Sequence, residues 1–465
     1  VEIPTRQASA AIKKIPALDG AMPGGRTMDP MDFNADRLGA QDLELLRPTC
    51  PGQLIFGRMH INAFEARSLL ARERKGKFVL MWIMARYFLD YPWRNKTQRD
   101  RRLTGGQALL GGLFAALRKR GVTLWLETPM QSLTQQGQRV TGLVVRRNGQ
   151  DVAVSARRAV VLGAGGFERN QAMREQYLPQ PTDQAWTATP PEANAGDAIR
   201  AGAALGADGA QLGRTHVVRA QGGKIPRHVR RAFHARLHGG ERTRRALPER
   251  IRALPRIPAM FTNHTQTGGA VPAWIVFDAT FRANYPIGPI MPATAVPDAK
   301  LRKSWLNTVY WKGETLQELA QQIGVNPQGL VASARRMTEF ARTGKDLDFG
   351  RGDNVFDRYY GDVNVKPNPN LAPIEKGPFY AMKLYPGDIG TKGGLLTDRD
   401  ARVLTGGGDV IEGLYCVGNN SASVMGSSYP GAGSTLGPAM TFALRAISHI
   451  VGKPMALEHP ELLEV

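Results

Sequence analysis

Apolar residues recur at helical spacing after Thr104, where Ala108, Leu109, Leu113, Phe114 and Leu117 share one face and Gly121 closes the pattern. Thr104 suits an N-cap and Gly121 a C-terminal stop, so a helix is predicted between them. The VTLWLETP that follows (122–129) reads as a strand. Residues 139–146 (RVTGLVVR) and 151–155 flank Asn148-Gly149. Asn-Gly supplies the positive φ angles of a type I′ turn, which predicts a hairpin, with AVVLGAGG (159–166) as the next strand. Helical spacing returns at 315–323 and at 327–340, the latter with Asn326 as N-cap and Pro327 in first position, and again at 438–451. The most apolar run, FVLMWIMARYFLDYPW (78–93), is interrupted by Arg86 and Asp90 and is too short to span a bilayer. It is predicted as a buried helix, the rival reading being an aromatic surface resting on a membrane. Strands and helices mix without a repeat, which gives an α/β fold class of mixed, α+β character.

Composition changes this picture in two places. With 465 residues, 42% of them hydrophobic, the chain can bury the cores of two or three domains. Its two cysteines, Cys50 and Cys416, lie far apart, the pattern of a reducing compartment, so a cytoplasmic location is expected and no disulfide framework. No set of residues shows metal-ligand spacing.

Charge is the second place. The net charge is +21, yet residues 214–256 alone hold thirteen Lys or Arg against Glu241 and Glu249, which puts +11 there and +10 on the rest. Four of the eight histidines crowd into the same stretch. A basic arm for nucleic acid or anionic lipid is one reading. The stretch fits neither helix nor strand spacing, and the preferred reading is a product of a shifted reading frame, so no nucleic-acid partner is expected. Membrane contact is expected to be peripheral at most.

Two segments carry candidate chemistry. Residues 163–168 (GAGGFE) follow a strand, as the first turn of a dinucleotide-binding unit does, but Glu168 stands where that fingerprint needs Gly or Ala. Residues 413–452 (GLYCVGNNSASVMGSSYPGAGSTLGPAMTFALRAISHIVG) are far more specific: a strand, Gly-Asn, a polar loop, Tyr-Pro-Gly-Ala-Gly, then a helix beginning near Pro438. Gly431, Gly433 and Gly437 let backbone approach a flat ligand, and the positive end of the helix suits a ring that becomes anionic on reduction.

From 413 to 444 this block resembles the 3-ketosteroid Δ1-dehydrogenases, flavoproteins related to soluble fumarate reductases. Residues 379–398 (FYAMKLYPGDIGTKGGLLTD), 160–176, 103–129 and 194–207 bear the same resemblance. Fumarate reductases carry Asn-Arg-Leu-Gly-Gly where this chain has Ser428-Tyr429-Pro430-Gly431, and an Arg there grips a dicarboxylate, so the Tyr-Pro-Gly version points to a neutral ketone.

The resemblance implies FAD as cofactor and 1,2-desaturation of a 3-ketosteroid, with hydride leaving C1 for flavin N5 and a proton leaving C2. It implies that the hydroxyl of Tyr429 and the backbone N–H of Gly433 polarise the C3 carbonyl. It places Gly390, Gly393, Gly394, Gly418, Asn419, Ser434, Thr435 and Leu436 against the flavin, and Ala164 and Gly165 nearer the adenosine end. Electrons pass to an acceptor the sequence does not identify. The architecture implied is a discontinuous FAD-binding domain of fumarate reductase type, residues 1–212 with 372–465, its active site shared with an inserted α+β substrate domain, 213–371.

The chain departs from the family in three ways. The family's opening strand, G-x-G-x-x-G and helix is not found, so the chain reads as N-terminally truncated. The tyrosine of a Pro-Asp-Tyr-Tyr type segment is replaced within TRQASAAIKKIPALDG (5–20), and no tyrosine follows Phe261-Thr-Asn263-His264, which leaves the proton acceptor unassigned. His264 reads as a solvated loop residue. The alternatives are a fumarate-reductase-like reductase of another enone or acid, and an inactive remnant with a basic binding segment.

Overall fold

The computed structural model describes residues 5–7, 28–49, 54–70, 75–190, 193–210, 271–353, 358, 361–426 and 433–453. The basic stretch 214–256, His264 and Tyr429 lie outside these residues. Contacts divide the chain into two compact units, Val1–Thr123 with Ala220–Tyr385, and Leu124–Arg219 with Pro386–Val465. The division expected from the resemblance, 1–212 with 372–465 around 213–371, is one by ligand and not by contact.

In the first unit, strand Phe379–Leu384 runs antiparallel between Ala273–Phe277 and Trp311–Gly313. Phe277 and Tyr380 stack on this sheet at 5.4 Å. Helices Leu316–Ile323 and Pro327–Thr343 contribute Leu319, Leu330, Ala334, Met337 and Phe340 to the same core. Asn326 caps its helix as predicted, accepting from Gly329 N at 2.6 Å, while Thr315, expected as the first residue of the other helix, is its N-cap and accepts from Glu318 N at 3.1 Å. The predicted helix after Thr104 is Gly106–Lys119, with Gly105 rather than Thr104 at the N-cap. Thr104 is instead engaged by His60, at 3.3 Å from Nδ1 to the Thr104 hydroxyl and amide alike.

Two expectations are corrected. Residues 122–129 form no strand, and Val122, Leu124, Trp125 and Leu126 are exposed. A strand persists only against a ladder partner, and none of the described strands pairs with them. The apolar run does form a helix, Gly76–Phe88, but it is not buried all round: Gly76, Ile83 and Tyr87 are inside while Phe78, Met81, Trp82 and Phe88 face out. No helix among the described residues is long and apolar enough to cross a membrane.

In the second unit, Met130–Gln136, Arg139–Arg147 and Gln150–Ser155 form an antiparallel meander. Its turn holds Asn148 at φ 52° and Gly149 at φ 78°, as the Asn-Gly pair requires. Strand Val160–Leu162 runs parallel to Val410–Cys416, which pairs on its other side with Arg402–Leu404. The meander lies so close to this sheet that a Cβ on Gly413 (φ +77°) would stand 2.4 Å from the Val140 carbonyl oxygen. Val140, Leu162, Phe167, Ile199, Leu395, Leu414 and Cys416 fill the core, and strands 160–162 and 410–416 deliver their ends to the site.

Candidate functional site

The site is built where strand Val410–Cys416 ends. Val417 N donates to the Leu162 carbonyl at 3.0 Å, so the chain leaves the sheet beside its parallel neighbour. It turns at Gly418 (φ +71°) into the short 3-10 helix Gly418–Asn420, and the Ser421 hydroxyl closes the turn on the Gly418 carbonyl at 2.8 Å. The chain is then held against residues 392–395: Ser423 N donates to the Lys392 carbonyl at 3.1 Å and Ala422 N to the Leu395 carbonyl at 2.9 Å. A Cβ on Gly394 would lie 2.0 Å from the Asn420 carbonyl oxygen, so only glycine permits this approach.

Opposite this wall begins helix Leu436–Val451, two residues before the expected Pro438. Thr435 occupies its N-cap without a side-chain capping bond, and Gly437 N reaches back to the Gly433 carbonyl at 2.8 Å. Gly433 stands at φ +94° with no atom within 4 Å of where a Cβ would be, so the backbone conformation and not crowding calls for glycine.

Between the wall and the helix start lies a cavity of about 320 Å³, lined by Thr397, Asp398, Gly418, Asn419, Ser421, Ser423, Ser434, Thr435 and Pro438 among others. That size is at the lower end for a small-molecule site. Hydroxyl, amide and backbone groups face a helix start that no side chain caps, which favours electron-rich polar atoms at that end, while the Asp398 carboxylate in the same lining is engaged by Arg402 at 2.7 Å. This arrangement fits the polar edge of a flat ring that gains negative charge.

Of the residues singled out in the sequence, the structure brings Gly418, Asn419, Ser434 and Thr435 together on the cavity wall. Gly433 and Leu436 flank the helix start. Gly393 and Gly394 are buried behind the wall, beside Lys392 and Asn420, and Gly390 opens the same segment. Ala164 and Gly165 are not on the cavity. Gly165 (φ +88°) packs on Asn194, whose Oδ1 would be 2.3 Å from an added Cβ, and a Cβ on Gly166 would meet the Thr391 hydroxyl at 2.0 Å.

Glu168, noticed in the sequence only as a mismatch to the dinucleotide fingerprint, is the fastening beneath this wall. It is fully buried. Its Oε1 accepts from Asn194 Nδ2 at 2.6 Å, and its Oε2 from the Thr391 amide and hydroxyl at 3.3 and 3.2 Å. Thr391 Oγ1 also accepts from Phe167 N at 3.0 Å. Burial pushes the Glu168 carboxyl above its ordinary range; its backbone and Asn194 hydrogen bonds oppose that shift, and the Asp388 charge adds to it. Asp388 is paired in turn with Arg174 at 2.7 Å, both almost wholly buried. Partners at such sequence separations leave no local pattern by which Glu168 could be found.

A family model described as FAD binding domain matches residues 3–436. The chain is 58% identical over 468 residues to the 3-oxosteroid 1-dehydrogenase of Comamonas testosteroni, covering all of this chain and 81% of that one. It resembles the crystal structure of 3-ketosteroid delta1-dehydrogenase from Sterolibacterium denitrificans in complex with 1,4-androstadiene-3,17-dione, with a TM-score of 0.86 and 50% identity over 94% of this chain and 79% of that one. The open conformation of a flavocytochrome c3 fumarate reductase shares the fold at a TM-score of 0.51 and 19% identity. The mixed fold is therefore the FAD-binding, fumarate reductase type, and the chain belongs to the FAD-dependent 3-oxosteroid 1-dehydrogenase family.

Proposed function

We propose that this chain introduces the 1,2 double bond into a 3-ketosteroid. Its kinship to 3-oxosteroid 1-dehydrogenases carries the reading, and the cavity at the uncapped start of helix Leu436–Val451 supports it. The flavin, when bound, supplies acceptance of the hydride that leaves C1. Gly418, Asn419, Ser434 and Thr435 hold its polar edge, and the helix start favours the charge it gains. Gly390, Gly393 and Gly394 set the backbone behind it, Leu436 flanks it, and Ala164 with Gly165 belongs toward the adenosine end.

The proton at C2 is acidic only because it adjoins the C3 ketone. The N–H of Gly433 and the hydroxyl of Tyr429 polarise that carbonyl, stabilising oxygen charge as the proton leaves. Residues 1–212 with 372–465 form the flavin-binding part, and 213–371 the substrate part. Electrons pass to a separate acceptor, and the widely spaced cysteines fit the reducing cytoplasm.

The test is spectroscopic. The purified chain incubated with FAD should turn yellow and, without oxygen, bleach when 4-androstenedione is added. A protein that stays colourless favours an inactive remnant. One that binds FAD, ignores the steroid and is reoxidised by fumarate after chemical reduction favours the fumarate-reductase-like alternative.

A further inference from the structure

One of the largest side chains that the fold buries completely is a cation, Lys392, 1% exposed. It stands in the segment that backs the candidate flavin cavity. One residue before it, Thr391 is pinned by the Glu168 carboxylate. Two residues after it, Gly394 packs so closely that an added Cβ would lie 2.0 Å from the Asn420 carbonyl oxygen. The Lys392 carbonyl accepts from Ser423 N at 3.1 Å, and Ser421, Ser423 and Val424 line the cavity. The Lys392 backbone is thus one hydrogen bond from the cavity wall and is fixed on both sides.

Burying an ammonium costs free energy that an apolar side chain of similar length would not, and the contact to Ser423 uses only the main chain. The charge is better accounted for by what it acts on. Other charged groups near the cavity cancel in pairs: Asp398 with Arg402, Asp400 with Arg445 and Asp388 with Arg174, each at 2.7 Å. Burial pushes the Glu168 carboxyl toward its neutral form. Arg399, also in the lining, has a side chain 87% exposed, where water screens its charge. A cation enclosed by protein acts at a lower effective dielectric and reaches further.

The hydride from C1 carries two electrons and one proton to the flavin, so the reduced ring holds one negative charge unless a second proton follows. The proton from C2 leaves separately. A fixed positive charge near the ring stabilises the anion and has little effect on the neutral oxidised ring. The uncapped start of helix Leu436–Val451 faces the cavity from one side, and Lys392 backs the wall on the other.

We propose that Lys392 sets the reduction potential of the flavin, its buried ammonium holding the reduced ring in the anionic form. It acts through its field and takes no part in bond making. The inference rests on the flavin reading of the cavity and not on the steroid, since the potential is measured without substrate.

The experiment is anaerobic titration of the FAD-loaded full chain with dithionite and reference redox dyes, on wild type, K392M, K392Q and K392R. The neutral variants should disfavour reduction about tenfold or more, a fall of about 30 mV for a two-electron couple, while K392R, which keeps the charge, should stay close to wild type. Neutral variants that hold FAD at the wild-type potential overturn the proposal, and so does K392R falling as far as K392M. Should neither neutral variant fold, wild type decides. Between about pH 5 and 6 its potential should fall about 30 mV per pH unit, one proton for two electrons. A slope twice as steep, that of a neutral reduced ring, overturns the proposal. A chain that takes up no FAD overturns the flavin reading of the cavity as well, whereas an unchanged potential in flavin-loaded variants leaves that reading standing.

Discussion

Glu168 and Thr391, 223 positions apart in the chain, meet at two hydrogen bonds, the Thr391 amide at 3.3 Å and its hydroxyl at 3.2 Å from Glu168 Oε2. Thr391 adjoins Lys392, whose carbonyl holds Ser423, and Ser423 lines the cavity. One buried carboxylate thus fixes the turn after strand Val160–Leu162 to the wall of the candidate site.

Removing it should loosen that wall. E168A strands the Asn194 and Thr391 donors, at about 1–3 kcal/mol for each group left unsatisfied, and FAD titration should show affinity falling about tenfold or more. E168Q keeps an acceptor for Thr391, and Asn194 can turn its own oxygen toward the new amide, so affinity should largely return. Equal affinity in wild type and E168A would remove Glu168 from the site's support.

The raised Glu168 carboxyl has a pH signature. Its folded pKa exceeds the ordinary 4.5, so its contribution to stability is complete below that value and is lost as pH rises through the higher folded pKa. Urea midpoints recorded upward from pH 4.5 should fall more steeply in wild type than in E168Q. Parallel curves would mean the carboxyl is not shifted.

His60 should act in the opposite direction. Burial, only partly opposed by Asp100, lowers its pKa from 6.5 to about 4. Thr104 N donates to Nδ1 at 3.3 Å, which requires that nitrogen to be unprotonated. Stability from this group is present above pH 6.5 and is lost as pH falls through about 4, an effect on the order of 3 kcal/mol. Replacing His60 with Gln should flatten the acid limb of the stability curve. NMR titration of His60 near its ordinary pKa would contradict the assignment.

Gly394 tests the wall itself. An added Cβ meets backbone, the Asn420 carbonyl oxygen at 2.0 Å, and no rotamer relieves it. G394A should cost about 1–3 kcal/mol in unfolding free energy and weaken FAD binding with it. A variant of wild-type stability and affinity would show that the two segments are not so closely packed.

The Arg174–Asp388 pair, at 2.7 Å and almost wholly buried, predicts asymmetry between breaking and replacing it. R174A leaves an uncompensated carboxylate, at about 3–5 kcal/mol, whereas R174M/D388L should cost much less. Equal losses in the two variants, compared by thermal unfolding, would overturn this.

The parts of the fold readable in the sequence are those whose signal is local. Asn326-Pro327 announces its helix, and Asn148-Gly149 its turn, because cap and turn chemistry lies within a few residues. The Gly418-Asn419 and Ser434-Thr435 pairs come from the resemblance of residues 413–444 to the 3-ketosteroid Δ1-dehydrogenases, since spacing alone shows only a polar, glycine-rich turn between a strand and a helix. Glu168 is not readable, since its partners stand 26 and 223 residues away. Nor is the outward face of Gly76–Phe88: an apolar run shows that a helix forms, while its neighbours decide which side is covered. Residues 122–129 show the same limit for strands, whose formation depends on a partner elsewhere in the chain.

The central claim is the reaction, and product analysis tests it most directly. The chain loaded with FAD and supplied with 4-androstenedione and an artificial electron acceptor should yield, by mass spectrometry, a steroid lighter by two hydrogens with its new double bond between C1 and C2. Recovery of unchanged steroid from a chain shown to hold its flavin would contradict the account.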